Sequence, residues 1–148
     1  RLGVGLIIIN KQSEIFTGRR LDSTKAWQMP QGGIDDNEIP LEAAYREMGE
    51  ETGIQKHNVT LLKQSKRWYR YDLPQEIQGK FWGGEFRGQS QKWFLFEFIG
   101  TNLDINIETE VPEFSEWRWS RKNDMLDTIV PFKKSLYQSV LKDFDLDI

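Results

Sequence analysis

A chain of 148 residues, 38% hydrophobic and 29% charged, has the size and composition of one globular domain, and we assign residues 1–148 to it. It has no cysteine and one histidine, His57, which excludes disulfides, thiolate-bound metals and a cluster of histidine ligands. The net charge of −3 argues against a nucleic-acid coat protein, and the longest apolar run, residues 2–10, is too short to cross a membrane, so we predict a cytoplasmic protein.

The N-terminal part of the chain begins with two β-rich runs, residues 4–10 and 14–19, separated by polar turn residues. This pattern predicts a β-hairpin. Residues 21–33 end in the glycine pair Gly32 and Gly33, and we predict a loop there that brings its backbone close to a ligand.

Residues 41–52 show the periodicity of an amphipathic helix, with apolar side chains at Leu41, Ala44, Tyr45 and Met48. Pro40 suits the first turn of such a helix, and Gly53 is the residue type that ends one.

The rest of the chain mixes strand and helix patterns. Residues 91–99 form the strongest strand pattern, in which Trp93 and Leu95 alternate with three phenylalanines. The other predicted elements are a β-rich segment at 59–71, a surface loop at 74–89, a short strand at 116–120 and a C-terminal helix marked by Phe132, Leu136 and Val140. The sum predicts an α+β domain with helices packed on a mixed sheet.

Three glutamates share one sector of the predicted helix, beside its apolar face: Glu47, Glu50 and Glu51. Like charges at this spacing repel each other, and a hard divalent cation would offset the repulsion because magnesium prefers carboxylate oxygens. Arg46 precedes Glu50 by one helical turn and can hold that carboxylate in position. The alternative is a charged helix face that is merely solvated.

The glutamates belong to a longer pattern of fixed spacing, formed by Gly32, Glu38, Arg46, Glu47, Met48, Glu50, Glu51, Gly53 and Ile54. This pattern resembles the Nudix box without a departure. The resemblance implies the Nudix fold, in which a mixed sheet lies between helices and a loop–helix–loop holds Mg²⁺ or Mn²⁺ for hydrolysis of a nucleoside diphosphate linked to another group. It also implies that Glu47, Glu50 and Glu51 are catalytic metal ligands, supported by Gly32, Gly33, Glu38 and Arg46.

Four further segments and one residue pair resemble the branch of bacterial RNA pyrophosphohydrolases and plant-type dinucleoside polyphosphate hydrolases: residues 27–33, 67–74, 89–96 and 112–119, and Phe132 with Lys133. In that branch Arg20 and Phe132 match a pair that grips a base, and Arg1 and Lys133 match residues near phosphates. Tyr71 is a further candidate for substrate binding.

Two charged residues keep alternative interpretations. Glu113 matches an additional metal ligand and catalytic residue, or it is a surface glutamate after a proline. Lys92 contacts phosphate, or it is a surface lysine on a strand. We expect five aromatic residues to be packing residues rather than base-stacking ones: Trp93, Phe94, Phe96, Trp117 and Trp119.

The preferred function is metal-dependent removal of pyrophosphate from triphosphorylated 5′ ends of RNA, which leaves a monophosphate and promotes mRNA decay. The alternatives are asymmetric hydrolysis of dinucleoside polyphosphates and a non-catalytic domain that binds nucleotides or RNA. The loop at 74–89, with Lys80 and Trp82, is a candidate for selecting the second group of the substrate. No membrane or obligate protein partner is expected.

Overall fold

The computed structural model describes residues 1–22, 25–74 and 88–146. Its three α-helices are α1 (Pro40–Thr52), α2 (Lys122–Thr128) and α3 (Pro131–Asp143). The strands of these described residues are β1 (Leu2–Ile9), β2 (Ile15–Arg20), β3 (Trp27–Gln28), β4 (Gln31–Gly33), β5 (Val59–Gln64), β6 (Tyr69–Asp72), β7 (Gly88–Phe98) and β8 (Phe114–Ser120).

The eight strands belong to one mixed sheet whose central path runs in the order β3-β2-β1-β7-β5. Strands β1 and β7 pair in parallel, and the remaining ladders are antiparallel. Strand β4 also pairs with β1, β6 pairs with β7, and β8 pairs with β2. The predicted hairpin of β1 and β2 is confirmed, and its turn is held by Asn10, whose Oδ1 accepts from the backbone N–H groups of Gln12 and Glu14.

A hydrophobic layer covers each face of the sheet. Helix α1 contributes Ala43, Ala44 and Met48 to one layer, and α3 contributes four apolar side chains to the other: Leu136, Tyr137, Val140 and Leu141. The alternation predicted for β7 is confirmed, because Trp93 and Leu95 lie in the α3 layer whereas the phenylalanines of β7 lie in the α1 layer. All five aromatic residues predicted to pack are buried or packed against these layers.

Several predicted boundaries were wrong because long-range pairing overrides local pattern. The predicted loop at 21–33 contains β3 and β4, since β2 and β1 supply their hydrogen-bonding partners. The segment 59–71 splits into two strands, and between them Ser65 replaces ladder bonds by accepting through Oγ from the Trp93 N–H at 3.0 Å. Helix α2 was not predicted, and most of the predicted loop at 74–89, including Lys80 and Trp82, lies outside the described residues.

Helix α1 begins one residue before the predicted range and ends where predicted. Glu42 accepts the Ile39 backbone N–H through Oε1 at 3.2 Å, which satisfies a donor at the start of the helix. Gly53 closes the other end with a left-handed φ of 73°, and its N–H donates to the Gly49 carbonyl at 3.0 Å. None of the helices in the described ranges is long and apolar enough to span a membrane.

Gly53→Ala should lower the free energy of unfolding by about 1–3 kcal/mol, because the left-handed conformation is strained for alanine and its Cβ would lie 2.5 Å from the Asn106 carbonyl oxygen. Gly49→Ala is the matched control. Its Cβ would find its nearest neighbour 4.0 Å away, so the better helix propensity should raise stability by about 0.5–1 kcal/mol. Urea unfolding of both variants measures the two effects, and a loss of stability in both would contradict the role given to Gly53.

Candidate functional site

Arg46 organises the outer face of α1. Its guanidinium donates to both Glu38 oxygens at 2.8 and 2.9 Å and to the Gly33 carbonyl at 2.8 Å. It also donates to Glu47 at 2.9 Å and to Glu50 at 3.1 Å, so the expected contact between Arg46 and Glu50 is present. These hydrogen bonds hold the pKa of Glu38 below its ordinary value and raise that of Arg46 further. One arginine therefore ties the loop before α1 to the glutamates on it.

Glu47 and Glu51 point inward from α1. Burial raises the pKa of Glu47 to about 7, although Arg46 opposes the shift. Burial and the neighbouring charge of Glu47 raise the pKa of Glu51 well above its ordinary value, and the hydrogen bond that Glu51 accepts from the Gln31 backbone N–H at 3.1 Å compensates only part of this shift. Gly32 lies against the Glu47 carboxylate, where a Cβ would collide with it. Glu50, by contrast, is 58% exposed.

A pocket of about 290 Å³ opens beside these inward glutamates. The structure brings ten of the predicted site residues together in its lining: Arg1, Arg20, Gly32, Gly33, Glu47, Glu51, Tyr71, Glu113, Phe132 and Lys133. The lining residues come from segments that lie far apart in the sequence, from Arg1 to Lys133. It presents carboxylates together with cations and aromatic rings.

The cationic and aromatic part of the pocket is built from β2, β6 and α3. The rings of Tyr71 and Phe132 stand 6.3 Å apart at 38°. Lys133, 5% exposed, donates through Nζ to Gln28 Oε1 at 3.0 Å. Burial, and next the charge of Arg20, lower the pKa of Lys133 to about 7. This part of the pocket therefore offers hydrogen-bond donors and flat apolar surface.

A second groove of about 290 Å³ is also lined by these glutamates and lies between α1 and residues 109–113. Its lining includes Glu47, Glu50 and Glu51 together with Glu110 and Glu113. Sequence reasoning missed Glu110 and its neighbour Thr109, although the acidic composition of 108–113 is a signal for the former. The Thr109 hydroxyl is buried and has no hydrogen-bond partner among the residues described.

The chemistry of this groove fits a hard divalent cation. Carboxylate and hydroxyl oxygens are the donors that Mg²⁺ and Mn²⁺ take, and a cation would compensate the buried charges of Glu47 and Glu51. Within the described part of the chain, no three acidic or histidine side chains converge into a ready cage. Arg46 draws the Glu50 carboxylate to itself, and the Gln31 N–H holds that of Glu51.

Lys92 is the one predicted substrate contact in the described residues that the structure does not bring to the pocket. Its Nζ donates to the Lys66 carbonyl at 3.1 Å and lies 5.4 Å from the Trp68 ring. The physical reason is strand alternation, which turns Lys92 to the face of β7 opposite that of Gln89 and Gln91. Lys92 therefore does not line this pocket, and its predicted role as a phosphate contact stays a prediction.

Three buried glutamines that sequence reasoning did not single out line the pocket or support it. Gln28 and Gln89 line it, 1% and 2% exposed. Gln91 supports the lining indirectly, since its Nε2 donates at 3.1 Å to the Oε1 of Gln31, which lines the pocket. The concentration of glutamine in residues 28–31 and 89–91 is the signal that could have identified them.

Residues 1–140 match the family model of the NUDIX domain, which covers almost the whole chain and includes α1 with its glutamates. The chain therefore belongs to the NUDIX family. The RNA pyrophosphohydrolase of Rickettsia canadensis is 53% identical over 146 residues, which cover 98% of this chain and 89% of the relative. That of Rhodospirillum rubrum is 50% identical over 143 residues, 97% of this chain and 86% of the relative. The predicted resemblance is confirmed.

Solved structures of more distant sequence share the fold. A binary complex of the Caenorhabditis elegans Ap4A hydrolase superposes with a TM-score of 0.73 at 21% identity and 97% coverage of both chains. The Escherichia coli dihydroneopterin triphosphate pyrophosphohydrolase gives 0.75 at 16% identity, covering 98% of this chain and 96% of that one. The α+β Nudix fold predicted from the sequence is thereby confirmed.

Glu38→Gln should lower the free energy of unfolding at pH 7 by about 1–3 kcal/mol, because it weakens two charge-assisted bonds to Arg46 on a side chain only 14% exposed. The folded pKa of Glu38 lies below its ordinary value of 4.5. Its stabilisation is therefore complete above that value and is lost as the pH falls through the folded pKa. The difference in the free energy of unfolding between wild type and variant, measured by urea unfolding, should therefore be smaller at about pH 3 than at pH 7.

Glu116→Gln provides the control for this pH series. Its ion pair with Arg19 is 58% exposed on the glutamate side, so we expect an effect below about 0.5 kcal/mol at both pH values. An equal loss of stability for Glu38→Gln at both pH values would contradict the ionic role of Glu38.

Proposed function

We propose that this protein removes pyrophosphate from triphosphorylated 5′ ends of RNA by metal-dependent hydrolysis, leaving a 5′-monophosphate and so promoting mRNA decay. The observation that carries the proposal is a single pocket that joins the buried glutamates of α1 to cations and aromatic rings. A nucleoside polyphosphate requires both features. The glutamates serve the reacting phosphates through bound metal, and the aromatic rings and cations serve the nucleoside and the remaining phosphates. The names of the two bacterial relatives support RNA as the substrate.

The substrate would lie with its base and its phosphates on different parts of the pocket. Phe132 and Tyr71 offer ring faces for stacking, and Arg20 lines the same pocket. Arg1, whose guanidinium lies against Gly33, and Lys133 supply positive charge for phosphates. The chain thus provides neutral stacking surface and charge in one cavity.

Glu47, Glu50, Glu51 and Glu113 would hold the divalent cations, with the groove at 109–113 as the opposite wall. Bound Mg²⁺ or Mn²⁺ supplies a water of lowered pKa and neutralises charge that develops on the phosphates. One of these glutamates would take the proton of the attacking water as a general base. The hydrogen bonds from Arg46 to Glu38 and to the Gly33 carbonyl hold α1 against the loop that precedes it.

Dinucleoside polyphosphates are the second substrate class, because they contain the same phosphoanhydride bonds and also carry a nucleoside at the end of the phosphate chain. A non-catalytic binding domain is disfavoured, since the glutamates that hydrolysis requires are all present. The predicted cytoplasmic location stays a prediction.

The substrate assignment is tested by competition between a triphosphorylated oligonucleotide and diadenosine tetraphosphate at equal concentration with Mg²⁺. We expect the RNA to be consumed first, with pyrophosphate and 5′-monophosphate RNA as products. Faster consumption of the dinucleotide would overturn the RNA assignment in favour of the second class. Absence of hydrolysis of either substrate would overturn both.

Glu50→Gln and Glu51→Gln should each lower turnover by about 10²- to 10⁴-fold, because each removes an anionic oxygen from the groove. The Glu51 variant should keep its thermal stability, since a neutral amide of the same shape replaces a buried carboxyl whose pKa is already raised by desolvation. Glu108→Gln, an exposed change in the neighbouring acidic segment, is the matched control and should keep wild-type turnover. A chelator should abolish wild-type activity, and Mg²⁺ or Mn²⁺ should restore it. Normal rates in both glutamate variants would remove their assigned roles.

A further inference from the structure

The sheet face that packs against α1 is uncovered at one corner. Val4 of β1 is buried in the α1 layer, whereas Leu2, two residues earlier on the same face, is 57% exposed. Leu2 lies opposite Ser90 of β7 in the register of the sheet, and Ser90 lies opposite Arg70 of β6. Helix α1 therefore leaves part of strands β1, β7 and β6 open to solvent.

Trp68 and Lys92 extend this open area along β6 and β7. Tyr69 is buried in the α3 layer, so strand alternation turns Arg70 to the other face. Trp68 lies on that other face as well, since its ring, 39% exposed, is 5.4 Å from Lys92 Nζ. Lys92 is held there by the Lys66 carbonyl, which accepts from it at 3.1 Å. We call this surface the β6 corner, and it consists of Leu2, Lys66, Trp68, Arg70, Ser90 and Lys92.

The β6 corner is positively charged, although the whole chain has a net charge of −3. Among the residues that the structure describes, no carboxylate forms an ion pair with Lys66 or Lys92. Arg70 pairs with Asp72 at 3.3 Å, but the two side chains are 71% and 61% exposed, so water screens most of this attraction. Cations beside an exposed indole are the combination that binds single-stranded nucleic acid, since the cations attract phosphates and the ring stacks on a base.

The β6 corner adjoins the pocket through the two strands that build both. Tyr71 and Gln89 line the pocket and are paired with each other. Their chain neighbours Arg70 and Ser90 are likewise paired, and they lie on the opposite face of the same two strands. Trp68 is three residues from Tyr71, which is about 10 Å along the strand direction. An RNA whose 5′ end occupies the pocket would therefore reach the β6 corner within a few nucleotides, whereas a dinucleotide would end at the pocket.

We propose that the β6 corner binds the single-stranded RNA that follows the 5′ end of the substrate. A base stacks on Trp68, and the backbone phosphates lie against Lys66, Arg70 and Lys92. The contacts are independent of base sequence, because every base has a ring face and every nucleotide a phosphate. The inference rests on the proposed function, which places the 5′ end of an RNA in the pocket.

The test is equilibrium binding by calorimetry in the presence of a chelator, so that no turnover occurs. The probes are an unstructured 5′-triphosphorylated RNA of about 20 nucleotides, a 5′-triphosphorylated dinucleotide and a polyglutamate chain. The long RNA should bind the wild type about tenfold more tightly than the dinucleotide does. Polyglutamate, which carries charge but no bases, should bind more weakly than the long RNA.

Two variants separate the contribution of charge from that of stacking. The double variant Lys66→Gln with Arg70→Gln should bind the long RNA about fivefold more weakly, and its slope of log affinity against log salt should be shallower by about 1.4. Trp68→Ala should weaken binding of the long RNA by about five- to tenfold and keep the wild-type slope. Both should bind the dinucleotide as the wild type does.

The matched control is Lys11→Gln with Arg121→Gln, which removes the same charge from exposed residues at the opposite end of the β1–β2 hairpin. It should keep the wild-type affinity for the long RNA to within about twofold and stay close to the wild-type salt slope. Thermal melting of every variant verifies that it is folded.

Equal binding of the long RNA and the dinucleotide by the wild type would overturn the inference, as would unchanged long-RNA affinity in the folded double variant and Trp68→Ala. Polyglutamate that binds as tightly as the RNA, and is lost in the same variants, would assign the surface to an acidic peptide instead. These measurements involve no hydrolysis. Length-dependent binding without hydrolysis of triphosphorylated RNA would therefore overturn the proposed function alone, and hydrolysis without length-dependent binding would overturn the role of the β6 corner alone.

Discussion

Arg46 offsets the repulsion of carboxylates that face one another across α1 and its preceding loop. It makes five hydrogen bonds, which reach Glu38, Glu47, Glu50 and the Gly33 carbonyl. Without such a cation, the glutamates on one helical sector would repel each other and would be poorly solvated at the buried positions. This one side chain therefore links the glutamates of α1 to the glycine pair and to the loop that precede the helix.

The far wall of the pocket depends on how α3 is attached to the sheet. Near its C-terminal end, Asp143 accepts from the Tyr69 hydroxyl at 2.6 Å and from Arg67 at 2.9 Å. In its middle, Tyr137 accepts the buried Met29 N–H at 3.1 Å. These bonds join α3 to the strands that carry Tyr71 and Gln28, so the first turn of α3 delivers Phe132 and Lys133 to the pocket. The shape of this pocket wall therefore depends on the packing of α3, a helix that lies far along the chain from α1 and its glutamates.

Glu113 and Lys92 are two charged residues whose location relative to the glutamates of α1 could not be predicted from the sequence. Both were charged residues with two open interpretations, and neither has a local pattern that decides between them. Residues 109–113 form the groove wall opposite α1, so Glu113 lies beside the glutamates. Lys92 sits in a strand one position away from Gln91, and the alternation of side chains sends it to the other face. Position in the fold, rather than residue type, determines which of the two side chains lies beside the glutamates of α1.

The sequence alone determined α1, the hairpin and the alternation of β7, because each depends on a short-range periodicity or on a residue such as Gly53 with a local conformational preference. It also determined the glutamate sector and its arginine, which lie within one helix and its preceding loop. Only the tertiary structure decided that residues 27–28 and 31–33 form strands, that Lys133 is buried beside Arg20, and that the side-chain oxygen of Gln28 accepts hydrogen bonds from both of these cations. Those features arise from partners far apart in the chain, and their hydrogen bonds and desolvation exist only once the sheet has assembled.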